Sequence, residues 1–392
     1  MKTVVIVSAV RTPIGSFQGV FSEVKAVELG ASAIKGAINK IKLDPHLVNE
    51  VIFGNVLTAG EGQAPARQAA LGAGLPDSVE CMTVNKVCGS GLKAVMLGAQ
   101  AVALGDAEVV VAGGMESMTN SPYLLDKARS GYRMGNAQIQ DSMILDGLWN
   151  PYSNEHMGNI AELCASSCEI NRESQDEFSI RSYKLANESI EKGRFKNEII
   201  PVEIKDKKGN VTVIEIDEEP SKVKYDKIPS LKPSFKKEGT ITAANASSIN
   251  DGAAALILMS EEKSKLLGLK PLAKIVSYAS AAKAPEWFTT APVDVIPKTL
   301  NKANMKIGDI DLFEINEAFA VVTLAAQKEL GIPIEKVNVN GGSVALGHPI
   351  GASGARILVT LLHAMELHNK KTGMAAICIG GGEAAGLIVE RI

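Results

Sequence analysis

Cys88 stands directly before Gly89-Ser90-Gly91 and an apolar-periodic run, which puts a thiol at the mouth of a helix predicted over Ser90–Leu104. The positive end of a helix dipole and its unpaired N–H groups favour a thiolate there. Gly89 and Gly91 permit a sharp strand-to-helix turn and the close approach of another backbone or a ligand, the logic of a nucleophile elbow. Taken singly, such a cysteine is more often a small buried side chain. His348 lies in a second glycine-rich segment, Asn338–Gly354, with Pro349 fixing the backbone after it. The glycine spacing matches neither a P-loop nor a dinucleotide fingerprint. A rigid, glycine-lined histidine reads as a general base or hydrogen-bond donor. Cys378 ends an apolar run that opens into Gly380-Gly381-Gly382, and Asn316 ends another, with a side-chain N–H to offer. Two thiols, an imidazole and an amide on glycine-rich edges suggest carbon–acyl chemistry, one thiol as nucleophile and the other as base.

Other polar clusters weigh less. Cys164 and Cys168 are four residues apart near His156, but no second ligand pair closes a zinc site, so no metal is expected. The lysines between Ser221 and Gly239 suit a solvated face or a polyphosphate.

The 392 residues are 46% hydrophobic and 22% charged, with a formal net charge of −3. At ~150 residues per domain that length implies two or three domains. The near-neutral charge argues against nucleic acid as a partner. No basic leader precedes Val4–Val7, and no apolar run approaches the ~20 residues of a membrane span, so no membrane partner is expected. Five cysteines without regular spacing do not make a disulfide framework. A reducing, cytoplasmic setting is the expectation.

The elements that must position these groups alternate. β-branched runs at Thr3–Ser8, Glu50–Asn55, Glu108–Ala112, Ala254–Met259, Leu272–Ala279, Leu312–Asn316, Asn338–Asn340, Met374–Ile379 and Leu387–Arg391 predict strands, several of them apolar on both faces. Helical patterns cover Ala26–Ile41, Ser90–Leu104, Ala318–Leu330 and Ser353–Leu367. The class is α/β. An internal repeat is legible: Val51–Asn55 resembles Leu312–Asn316, Gly89-Ser90-Gly91 resembles Ala352-Ser353-Gly354, and Ala112–Glu116 resembles Ile379–Glu383, in constant order. Two similar halves with a site at their junction are expected. Between them Thr119–Asn250 breaks the pattern, with polar helical sequence at Asn171–Lys192 and a hairpin-like stretch, Ile199–Ile204 and Val211–Ile216 around Asp206–Asn210.

Cys88 in NKVCGSG, Asn316–Phe319 (NEAF), Gly347–Pro349 (GHP) and Cys378–Gly380 (CIG) together resemble the four signature motifs of the thiolases, over essentially the whole chain. The resemblance implies the thiolase fold: duplicated α/β halves, 1–118 completed by 251–270 and 271–392, forming a five-layered αβαβα sandwich. An inserted loop domain, 119–250, would cover the active site and bind CoA. It implies that Cys88 attacks the thioester of acetyl-CoA once His348 has taken its proton, and that Cys378 deprotonates a second acetyl-CoA, giving acetoacetyl-CoA and CoA. One oxyanion hole would be His348 with a water held by Asn316, the other the N–H groups of Cys88 and Gly380. His156, Met157, Phe288, Ala318 and Phe319 would shape a short acyl pocket, with Leu148, Phe235, Ala243 and Ser247 along CoA. Relatives often carry an arginine near 220–221; here Lys222 or Lys224 would take its place. CoA thioesters are substrates, so no cofactor is expected, and a homotetramer built from dimers is, since Ser121–Asp141 resembles a tetramerisation loop. Alternatives are a broader-chain 3-ketoacyl-CoA thiolase, a condensing enzyme of the ketoacyl synthase kind, and a non-catalytic acyl-CoA- or lipid-binding protein on the same scaffold. The intact Cys88–His348–Cys378 set argues against the last two.

Overall fold

Runs of Val, Ile and Ala that are apolar on both faces require a cover on each side. The computed structural model, which describes residues 1–205 and 207–392, supplies it. The first half runs β1 (Val4–Arg11), α1 (Ala26–Ile41), β2 (Glu50–Gly54), α2 (Pro65–Gly72), β3 (Glu80–Val84), α3 (Ser90–Leu104) and β4 (Val109–Ser117). Then come α4 (Met157–Ser167), α5 (Arg172–Glu191) and the paired strands β5 (Val202–Lys205) and β6 (Val211–Ile214). Asp206, in the predicted turn of that hairpin, lies outside the described residues. β7 (Asn250–Ser260) completes the first half. The second is β8 (Ala273–Ala282), α6 (Ala291–Lys302), β9 (Leu312–Ile315), α7 (Ala320–Leu330), α8 (Ile350–Leu367), β10 (Thr372–Ile379) and β11 (Glu383–Arg391).

The sheet order is β3-β2-β4-β7-β1 and then β8-β11-β10-β9, the two halves meeting through the pairs Val5–Lys274 and Ile6–Ala273. Alternation assigns the faces: Val110 and Ala112 of β4 join α3, α8 and Ile377 of β10 in one core, while Val109 and Val111 join α1 and α2 in another. α6 covers the far face of the second half, against Ile315, Met374 and Ile388. Five layers result, with α3 and α8 in the middle. By length and composition both central helices are apolar enough to cross a membrane, contrary to expectation. Sheets on both sides explain that apolarity, because a helix enclosed all round reads as apolar all round.

The central helices cross at glycines. A Cβ on Gly91 would stand 2.7 Å from the Ala355 nitrogen, and one on Gly354 would stand 2.4 Å from the Leu92 nitrogen. The glycines beside Cys88 therefore serve backbone approach between the two halves; a Cβ on Gly89 would likewise strike Ile379.

The repeat match needs one correction. Gly54 pairs with Gly114 in one half and Ile315 with Ala376 in the other. Glu116, two residues beyond Gly114, therefore corresponds to Cys378 and not to Glu383. Asn338–Asn340 is no strand. Val337 makes a single bridge to Phe313, and Asn338 turns at φ +46°. Its side-chain amide takes the ladder's place, accepting from Ile315 N–H and donating to Ile315 C=O, each at 2.8 Å.

One difference between the halves builds the site. β10 and β11 close through Gly380–Gly382, whereas β4 and β7 pair as far as Ser117–Asp251 and the chain between makes a long excursion.

Candidate active site

Cys88 follows a strained residue. Val87 is β-branched yet adopts φ +46°, a conformation costing on the order of 1–3 kcal/mol. Three hydrogen bonds hold it there. Asn85 Oδ1 accepts from Val87 N–H at 2.9 Å, and Ser90 Oγ accepts from Lys86 N–H at 2.8 Å while donating to Val87 C=O at 2.6 Å. From the other half, Glu383 forms an ion pair with Lys86. It thereby ties the elbow to the turn that carries Gly380. The N–H groups of Gly380 and of Cys88 itself face the Cys88 sulfur. Lys86→Glu is expected to lower kcat up to about fivefold with KM little changed, in line with ~1 kcal/mol for a partly exposed pair. The K86E/E383K double variant should recover most of the loss; steady-state kinetics of all three variants checks this.

Burial, not the helix mouth, dominates the thiol. It pushes Cys88 up to about 11, against the pull of the two N–H groups, with Glu116 adding to the rise. Burial thus works against the easy ionisation expected at a helix mouth, and the two N–H groups offset only part of it. Cys378, 1% exposed, is raised well above the ordinary thiol range by burial and then by Cys88. Burial, followed by the Arg356 charge, lowers His348 to about 3. At neutral pH the site holds two thiols and a neutral imidazole.

Hydrogen bonds fix which imidazole nitrogen is bare. Ser353 Oγ donates its proton to Pro349 C=O at 2.9 Å, so its 2.6 Å contact with His348 Nδ1 must be accepted from Nδ1–H. Nε2 keeps its lone pair, is buried and has no partner among the described residues. His348 N–H donates to Asn250 Oδ1 at 2.9 Å, which seats the residue. A similar chain orients Asn316: Arg356 Nη2 donates to Ser343 Oγ at 2.7 Å, and Ser343 Oγ donates to Asn316 Oδ1 at 2.6 Å. Asn316 Nδ2 is left as an unpartnered buried donor. Ser353→Ala is expected to slow acyl transfer about five- to tenfold, the worth of one orienting hydrogen bond of ~1 kcal/mol. Threonine at 353 should restore it; pre-steady-state release of CoA measures the step.

A cavity of about 210 Å³ lies over His348, while Asn316 is buried behind its lining. Cys88, His348 and Gly380 line it, together with Leu148, His156, Met157, Phe235, Ser247, Phe288, Ala318 and Phe319. Cys378 sits behind this lining in an apolar cluster with Met157, Phe288 and Phe319. The wall is aromatic. His156 stacks on Phe235 at 4.8 Å, and Phe319 meets Phe235 and Phe288 edge-on at 6.4 and 6.3 Å. His156 accepts Gly158 N–H at Nδ1 and so caps α4, which fixes its ring, while Ser247 donates to Ala318 C=O. Three expected contacts lie off the cavity. Ala243 is exposed beside the Ala246–Ile249 rim, and Lys224 is exposed. Lys222 forms an ion pair with Glu218 at 2.9 Å, so its charge already has a partner. Ser343, Ser353 and Arg356, all in or just after the glycine-rich segment, escaped notice in the sequence, because only folding shows which hydroxyl reaches which ring.

Glu116 also escaped notice. Its carboxylate accepts from Asn55 Nδ2, from the N–H groups of Val56 and Leu57, and from Gly351 N–H in the first turn of α8. The second half puts Cys378 at this position, beyond the helix mouth that carries Cys88. Its twin is filled by a fully bonded carboxylate.

The chain belongs to the thiolase family. The model for the thiolase N-terminal domain matches residues 4–262, and that for the C-terminal domain matches residues 269–391. Among relatives, the chain is 52% identical to the acetyl-CoA acetyltransferase of Schizosaccharomyces pombe, covering 99% of each chain. It is 52% identical to that of Cupriavidus necator, covering 100% of each. The crystal structure of the Bacillus anthracis acetyl-CoA acetyltransferase superposes with a TM-score of 0.98 at 44% identity, over 100% of this chain and 99% of that one.

Proposed function

We propose that this chain catalyses the condensation of two acetyl-CoA molecules to acetoacetyl-CoA and CoA, and the reverse thiolysis, through an acetyl-cysteine at Cys88. The observation that carries the reading is one cavity lined by Cys88, the bare His348 Nε2 and the Gly380 N–H. His348 Nε2 takes the Cys88 proton as the sulfur attacks the thioester carbonyl, and CoA leaves with a proton returned from the imidazole. The acyl oxygen then sits where the Cys88 and Gly380 N–H groups converge. Cys378, its thiol proton given up to solvent, removes a proton from the methyl carbon of a second acetyl-CoA. The enolate oxygen is held by a water between Asn316 Nδ2 and the neutral His348, the enolate carbon attacks the acetyl group on Cys88, and the Cys88 sulfur leaves with the proton from Cys378. Incubation with radiolabelled acetyl-CoA and peptide mapping should place the label on Cys88; label on any other residue counts against the reading.

Phe288 and Phe319 close the acyl end of the cavity and favour short chains over those of a broader 3-ketoacyl-CoA thiolase. Phe288→Ala is expected to raise thiolysis of 3-ketohexanoyl-CoA relative to acetoacetyl-CoA by at least about tenfold, since each methylene is worth ~1–3 kcal/mol in such a pocket. Relative kcat/KM values on the two substrates check it.

In this reading no cofactor is needed. Five unpaired cysteines suit a cytoplasmic, reducing setting. A homotetramer built from dimers is supported by the open edge of β3 and by exposed Tyr123, Leu125, Met134 and Ile139 around the Tyr123–Asp141 strand pair.

A further inference from the structure

Cys164 and Cys168 have no place in the reaction above, yet their sulfurs are 3.9 Å apart on α4 and both are free. Four residues of helix separate their Cα atoms by ~6 Å at 1.5 Å per residue, within the ~4.4–6.8 Å a disulfide spans. Their Cβ atoms, ~5–6 Å apart at that helical spacing, must close to the ~3.5–4.5 Å of a disulfide, so closure needs the last turn of α4 to loosen as well as side-chain rotation. Cys168 caps the C-terminus of α4, with Glu169 beyond it at φ +52°, so it lies at the free end of the helix and is partly exposed. Cys164 is buried in the cluster that also holds Phe288, Phe319 and Cys378. The pair thus sits at the solvent end of the apolar cluster that encloses the proposed base.

We propose that Cys164 and Cys168 form a dithiol modification site that takes a two-electron thiol oxidant and closes to an intrahelical disulfide before the catalytic thiols react. With hydrogen peroxide, the Cys168 sulfur attacks one oxygen, the O–O bond breaks, and Cys168 becomes a sulfenic acid as the first water leaves. The Cys164 sulfur then attacks the sulfenyl sulfur; an S–S bond forms, the S–O bond breaks, and the second water carries off the remaining thiol proton. Two thiols are oxidised and one peroxide is reduced to two waters. Cys168 and Cys88 are both partly exposed, but Cys168 stands at a free helix end with a second thiol 3.9 Å away to trap its sulfenic acid, whereas Cys88 faces the cavity and Cys378 is buried.

The test treats the whole chain with one equivalent of hydrogen peroxide per protomer, alkylates the remaining thiols, maps the peptides and assays thiolysis in parallel. The expected result is a Cys164–Cys168 linked peptide as the main product, Cys88 alkylated, and most activity kept. Diamide, which needs no sulfenic acid, should give the same link. Cys168→Ser should lose activity several-fold faster at the same peroxide dose, with its melting temperature measured to confirm folding. The proposal is overturned if both cysteines are alkylated after activity is gone, if Cys168 ends as sulfinic acid beside a free Cys164, or if a folded Cys168→Ser is inactivated no faster than the parent. Because the mapping reads the bond itself, its failure is separate from any failure of the proposed reaction.

Discussion

Cys88→Ala is expected to form no acetyl-enzyme and to lose condensation and thiolysis alike, by at least ~10⁴-fold, as when a covalent nucleophile that works as a unit with its base is removed. In the proposed reaction both directions pass through the same sulfur, so neither should survive its loss. CoA release in the first turnover and mass spectrometry of the intact chain measure this together. The pH profile of the parent provides a second check. Burial holds His348 at about 3 against an ordinary 6.5. The imidazole is therefore neutral and able to accept a proton throughout the pH range in which an ordinary histidine would titrate. Acyl transfer should show no acid limb near 6.5 and should rise toward the alkaline side, where Cys88, raised to about 11, begins to ionise.

Cys378→Ala is expected to separate the two half-reactions. Acetyl transfer to Cys88 should stay within about threefold of the parent, whereas condensation should fall by ~10²–10⁴, the usual worth of a positioned general base. Cys378 lies behind the cavity wall and is 1% exposed, so its loss removes a proton acceptor without opening the site. Its rise above the ordinary thiol range fits a base for a carbon acid, because a strong base is needed to take a proton from carbon. Detritiation of methyl-labelled acetyl-CoA reports the step directly. Normal exchange by the alanine variant would remove Cys378 from the role.

Much of the fold was legible because each signal was local. The 3.6-residue periodicity places α1 at Ala26–Ile41 and α3 at Ser90–Leu104, and the structure has both at those bounds. Helices with weaker patterns were missed. α6 holds Pro292 and Pro297 inside its span, and α2 has only eight residues beginning at Pro65, too few turns for a periodic signal. Asn338–Asn340 read as a strand because its β-branched pattern is real; a side chain makes the ladder bonds instead. The reacting groups were legible by type and by glycine context. Their protonation was not, since burial of Cys88 and His348 arises from layers far apart in sequence. The ion pair of Lys222 was not legible for a like reason: Glu218, four residues earlier, meets it only once the segment turns.

The excursion between Ser117 and Asp251 leaves the sheet and returns to it at register partners, so its two ends are neighbours on adjoining strands. It supplies Leu148, His156, Met157, Phe235 and Ser247 to the cavity, whereas Cys88, His348, Cys378 and Asn316 all stand on the duplicated scaffold. Recognition is therefore divided, because Phe288 and Phe319, which close the acyl end, belong to the second half. A cover grafted from a relative with another acyl preference would have to rebuild the buried links from Arg11 to Glu198 and Asp217 and from Ser182 to Glu317, and would still meet both rings.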